Sequence, residues 1–219
     1  MKILLIEDRS QRQNLFLDKT TIDLANYSKI LDNVINEEYK DALGKLKTNS
    51  FDFDDYTVII VHESAFDDDN ISILKNIEEH CKKHNKIFIL FSGGVDSNYY
   101  LNEDDYVFMK LSSSKLYSQN IKLFLDDFEK GNTNPLILSY GEKWKINVLL
   151  NILEKINFML ERSGKASFFH KTFICDSNIE LIKDLDLDIY QGKVEDREIS
   201  QEEVVKIIDS ISCAIKRMS

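Results

Sequence analysis

The chain has 219 residues, 43 % of them apolar and 30 % charged, and a formal net charge of −10. That composition describes a globular protein able to bury one good core, or one core plus a small appended domain, and excludes a disordered chain. Of the net charge, −8 lies between Met1 and Gly131, so neither part offers the basic surface on which nucleic-acid binding depends.

KILLI (Lys2 to Ile6) is a short apolar run stopped by Glu7-Asp8, as a buried parallel strand is. A helix is expected from Ser10 through Leu17, then a strand over SKILDNV (Ser28 to Val34) and a helix over NEEYKDALGKLK (Asn36 to Lys47). TVIIV (Thr57 to Val61) is a second continuous β-branched run, ended by His62; Ile71, Leu74, Ile77 and Cys81 then mark an amphipathic helix. KIFILF (Lys86 to Phe91) is a third buried strand, ended by Ser92. Ser97 to Asp105 reads as a loop into a further strand, YVFMK (Tyr106 to Lys110). Leu116, Ile121, Phe124, Leu125 and Phe128 follow at helical spacing. Strand and helix alternate, which predicts a doubly wound α/β fold with a parallel sheet covered on both faces.

GNTNP (Gly131 to Pro135) is the best linker, dividing the chain into residues 1–130 and a C-terminal extension, 131–219, of α/β or mainly helical type. In the extension PLILSY is strand-like, Trp144 to Glu161 is an apolar helix and SQEEVVKIIDSISCAI closes the chain as another. Ser200 and Glu203 of that last helix are spaced as a capping box. FFHKTF (Phe168 to Phe173) reads as core packing. There is no apolar run of membrane-spanning length and no signal-peptide pattern. Three widely spaced cysteines, Cys81, Cys175 and Cys213, suit reduced core thiols, and the protein is expected in the cytoplasm.

In an open parallel sheet, chemistry collects at the carboxyl ends of the strands. Those ends here are Glu7-Asp8, His62, Ser92 and Lys110. In order, spacing and residue type, residues 1–130 resemble the CheY-like receiver domain of two-component response regulators. The resemblance implies a flavodoxin-like sheet and Mg²⁺ held by Glu7 and Asp8, since hard cations prefer carboxylate oxygen. It also implies that Ser92 hydrogen-bonds a phosphoryl group and that Lys110 pairs with it, facing Glu7 and Asp8. The phosphorylated aspartate of that family belongs where YTVIIVHES has His62. An imidazole cannot form an aspartyl phosphate, and Glu63, next along, points to the opposite side of an extended strand. The reading is therefore a degenerate receiver, a pseudo-receiver: a non-catalytic, bacterial-type signalling module acting through protein–protein contact. A partner with a basic surface suits its acidic N-terminal half. A homodimer is a further expectation, since receivers often pair through their fourth and fifth elements.

SGGVDS (Ser92 to Ser97) supports a different class. It resembles the phosphate-gripping loop of the PP-loop ATP pyrophosphatases, which implies nucleotide binding through Ser92, Gly93, Gly94, Asp96 and Ser97. In that family the loop follows a strand and opens a helix, whose amides and dipole hold pyrophosphate. A third alternative is a small-ligand sensor using the same strand-end cleft. His80 and His84, at i, i+4 around Cys81, have a metal-compatible spacing but no further ligands nearby, so they are read as a solvated helix end. Asp67-Asp68-Asp69 is read as a helix start.

Overall fold

The structure, a computed structural model, describes residues 1–66, 70–94, 99–103, 106–163 and 201–219. The chain divides into two compact units, Met1–Glu142 and Lys143–Ser219. The first is built on a six-stranded sheet. Its strands are β1 (Lys2–Ile6), β2 (Leu31–Val34), β3 (Tyr56–His62), β4 (Ile87–Ser92), β5 (Tyr99–Glu103) and β6 (Tyr106–Ser112), in the order β2-β1-β3-β4-β6-β5. The helices of this unit are α1 (Ser10–Leu17), α2 (Asn36–Lys47), α3 (Ile71–Lys83), α4 (Ser113–Leu116), α5 (Gln119–Phe128) and α6 (Leu136–Tyr140). The five parallel strands give the flavodoxin-like order, with β5 added as an antiparallel edge.

The central residues of β1, β3 and β4, Ile3 to Ile6, Val58 to Val61 and Ile87 to Phe91, are all apolar because both faces are covered. On one face Leu4, Ile6, Ile59, Val61, Phe88 and Leu90 join Leu46 of α2 and Ile73, Ile77 and Cys81 of α3. Burial pushes the Cys81 thiol up to about 12, so it stays an inert thiol. The buried face of α3 runs through Ile73 rather than Ile71, which is 51 % exposed. On the opposite face Phe91 meets Tyr117 edge-on at 5.5 Å, and Phe16 of α1 stacks on the same Tyr117 at 6.1 Å. Ile121, Phe124, Leu125 and Phe128 of α5 are buried as their spacing predicts.

Four expectations are corrected. The segment read as a loop over Ser97 to Asp105 contains β5, paired antiparallel with β6 from Tyr99↔Lys110 to Glu103↔Tyr106, so the sheet is mixed. Tyr99 packs on Phe108 at 5.9 Å; aromatics favour a pleated surface, and the acidic residues around them had masked that signal. PLILSY is helix α6, not strand. Pro135 sits at φ −72°, ψ −14°, Asn134 accepts from the Leu136 amide at 3.1 Å, and Gly141 at φ 72° ends the helix. Leu136, Ile137 and Leu138 are all buried, and a six-residue apolar run has no period by which to tell the two states apart. The second strand begins at Leu31, after the 3-10 turn Leu24–Tyr27 whose Ala25 amide is capped by Asp23. The helix after β6 is split, because Ser118 accepts from the Asn120 amide and starts α5 afresh.

The second unit contains α7 (Trp144–Ser163) and α8 (Gln201–Met218), which contact each other. Val148, Leu149 and Ile152 of α7 and Val204, Ile207, Ile211 and Ala214 of α8 are buried. Cys213 is exposed on α8, correcting its reading as a core thiol. No helix among the described residues is long and apolar enough to cross a membrane. Ser200, FFHKTF, Cys175 and Asp67-Asp68-Asp69 lie outside the described residues.

Candidate functional site

The site forms where β1 and β3 end. The ladder aligns Ile6 with Val61, which makes Glu7 and His62 neighbours one residue further on. Alternation along β1 and β3 then sends both side chains to the α1 side of the sheet. Glu7 is wholly buried and His62 is 2 % exposed. The Val34 carbonyl accepts from the Glu7 amide at 3.1 Å, extending the β1–β2 ladder by one residue and fixing the carboxylate's direction. Its Oε1 accepts from the Arg9 amide at 3.2 Å, and its Oε2 from the Tyr117 hydroxyl at 3.3 Å. Gln13 of α1 donates to the same Tyr117 oxygen at 3.4 Å and exchanges two hydrogen bonds with the side chain of Asn33 on β2.

Arg12, on the first turns of α1, enters this cluster. Its Nη1 lies 3.6 Å from Glu7 Oε1, 3.6 Å from Asp8 Oδ1 and 2.7 Å from His62 Nδ1, and it also contacts His62 Nε2. It donates to Ser64 Oγ at 3.2 Å, and that hydroxyl is 2.9 Å from His62 Nδ1. Asp8 accepts from Arg9 Nε at 3.0 Å through Oδ2, while its Oδ1, buried, has no hydrogen-bond partner among the described residues. Burial, with Asp8 beside it, raises the Glu7 carboxyl to about 7. Burial, with the Arg12 cation beside it, lowers His62 to about 4. At neutral pH the imidazole is therefore uncharged and accepts from Arg12, and the guanidinium is the cation of the cluster.

Glu7, Asp8 and His62 each present a ligand atom within 4.8 Å of the others, a set that can hold a divalent cation such as Mg²⁺. The two carboxylates suit Mg²⁺ and the neutral imidazole suits a first-row transition metal. Asp8 Oδ1 makes no hydrogen bond among the described residues, and lies 3.6 Å from Arg12 Nη1 and 3.3 Å from His62 Nδ1. The Arg12 guanidinium lies within 4 Å of both carboxylates and of the imidazole, so a metal entering the site has to displace it. Among the described residues no such group forms around His80 and His84, whose rings stack on each other at 4.4 Å.

Ser92 and Lys110 are not gathered into this cluster. The β3–β4 register sets His62 against Phe91, whose ring meets the imidazole edge-on at 4.9 Å; Ser92, one residue on, falls to the other face. Lys110 aligns with Leu90 and donates to Glu63 Oε1 at 2.7 Å. The expectation that it faces Glu7 and Asp8 is corrected: Glu63 opens the 3-10 turn Glu63–Ala65 on the side away from His62, and takes the lysine there. Gly93 and Gly94 form a turn, and β5 starts at Tyr99, where a phosphate loop would open a helix. Asp96 and Ser97 lie outside the described residues.

Sequence reading missed Arg12, Ser64, Gln13 and Tyr117. Arg12 had a signal, being four residues after Asp8 at a helix start. Tyr117, 110 positions from Glu7, had none. The chain matches no family model, no curated protein and no solved structure.

Proposed function

We infer that the chain is a cytoplasmic regulatory module of receiver-like design that signals by protein–protein contact and has exchanged aspartyl phosphorylation for a fixed internal ion cluster. One observation carries this reading: His62 stands at the end of β3, and the Arg12 guanidinium lies against it and both carboxylates. A phosphoryl group needs an acidic acceptor and a metal at that place; here the acceptor is an imidazole held neutral and the cation belongs to the protein. Lys110, the natural phosphate partner in such a design, is engaged by Glu63 instead.

The test is incubation with acetyl phosphate and Mg²⁺, read by intact-mass spectrometry and by the fluorine spectrum of added beryllofluoride. No phosphoryl adduct and no bound fluoride signal are expected. An adduct on Asp8, Glu63 or His62 overturns the reading. ATP binding is the competing outcome: a rise in melting temperature with Mg²⁺-ATP, abolished by Asp96→Ala, would replace a regulatory module with an ATP-using enzyme.

A further inference from the structure

A groove of about 770 Å³ runs beside β2, the edge strand at the opposite end of the sheet from β5. Leu31, Val34 and Phe51 give it an apolar floor, while Glu38 and Asp41 of α2 and Asp52 stand exposed around it. A fourth lining carboxylate, Asp32, is held by Lys2 at 3.2 Å and by the Tyr56 hydroxyl at 2.7 Å. Among the described residues it is the only one of the four in an ion pair. Lys45 is the one cation among the lining residues described.

The outer side of the strand beneath this groove has no strand paired with it among the described residues, with Leu31 4 % exposed and Asn33 half-buried. Ile3 N donates to Ile30 O and Glu7 N to Val34 O, so the even-numbered residues of this stretch turn their backbone groups toward β1. Leu31 and Asn33 therefore turn theirs the other way, where no described strand pairs with them. An extended chain laid there gains main-chain hydrogen bonds, and alternate side chains reach the floor and the acidic rim.

We propose that the β2 groove docks an extended, lysine- or arginine-rich segment of a partner protein by strand addition. The occupant is basic because three carboxylates without ion pairs face it against one lysine, and extended because the edge offers backbone pairing. The proposal rests on the regulatory reading only in taking the occupant to be a protein; the groove contains none of Glu7, Asp8, Arg12 and His62, though Asn33 and Val34 of its lining bond to Gln13 and Glu7.

The experiment titrates the full chain into a fluorescein-labelled heptapeptide of alternating lysine and valine, read by anisotropy. Binding is expected, and Glu38→Lys with Asp41→Lys should weaken it at least about tenfold. Reversing the exposed Glu79 and Glu129, an equal change in net charge, should leave it within about threefold. Methylating alternate backbone amides of the peptide should also abolish binding. Three results overturn the proposal: no binding at millimolar protein, equal losses in both double variants, or undiminished binding of the methylated peptide with full displacement by spermine. The last would make the groove a site for small polycations. Because the read-out involves no phosphate, its failure and a failure of the regulatory reading are distinct.

Discussion

Two buried charge centres sit at opposite ends of the sheet. Before β4, the Lys86 ammonium is 8 % exposed and donates to the carbonyls of Phe53 at 2.9 Å, Tyr56 at 2.7 Å and Asp54 at 3.5 Å. Every donor has an acceptor, and the lysine ties the loop before β3 to β4. Beyond the other ends of the strands, Glu7, Asp8, His62 and Arg12 share a smaller space with Asp8 Oδ1 left over, and burial displaces the two deepest groups in opposite senses. A satisfied charge is a structural staple. A crowded, half-satisfied cluster is where binding or switching energy is available.

The comparison breaks first at the staple. Lys86→Met removes the donor and leaves the carbonyls in place, so the folded state should lose about 3 kcal/mol, the scale of buried acceptors left unpaired. A urea melt showing no change in midpoint would mean that water or the neighbouring backbone replaces the ammonium, and that the staple is not structural.

Arg12→Ala should cost less, about 2 kcal/mol, because the guanidinium is partly exposed and its loss leaves two carboxylates that repel one another. The same variant should bind Mg²⁺ or Mn²⁺ more tightly than the wild type, about tenfold by calorimetry, since the competing cation is gone. Unchanged metal affinity would show that Arg12 does not occupy the position a metal takes.

The pH dependence sharpens the contrast. Glu7, raised from 4.5 to about 7, takes up a proton on folding; its contribution is complete below pH 4.5 and is lost as pH rises through 7. His62, lowered from 6.5 to about 4, releases one; its contribution is complete above pH 6.5 and is lost as pH falls through 4. Over roughly pH 4.5 to 6.5 the two slopes oppose each other. Relative to wild type, His62→Gln should make stability fall with rising pH across that window, and Glu7→Gln should make it rise. Denaturation midpoints at half-unit intervals would check both signs, and parallel profiles for the two variants would remove the assigned shifts.

The smallest effect is expected at Lys110. Its pair with Glu63 is 32 % exposed on the lysine side and 40 % on the glutamate side, so Lys110→Ala should cost less than about 1 kcal/mol. It should also leave the Mg²⁺ affinity and the pH profile of the Arg12 cluster unchanged. A shift in either would couple the two groups across the sheet.

The amino-acid sequence by itself determined where the parallel strands lie and what stands at their ends. Continuous apolar runs over Lys2–Ile6, Thr57–Val61 and Lys86–Phe91 need two covered faces, and only a doubly wound sheet supplies them. Glu7, Asp8 and His62 were legible for the same reason, each following directly on such a run. The tertiary structure alone decided what those residues meet. Phe91 rather than Ser92 lies against His62 because strand register sets the neighbour and alternation sets the face. Tyr117 reaches Glu7 across 110 positions of chain, a distance over which local propensity carries no information, whereas Arg12 reaches it from the first turn of α1, four residues after Asp8. The edge strand at Tyr99–Glu103 and the buried helix at Leu136–Tyr140 belong to the same class. Both are segments too short to show a period, and their state was chosen by the surface they cover.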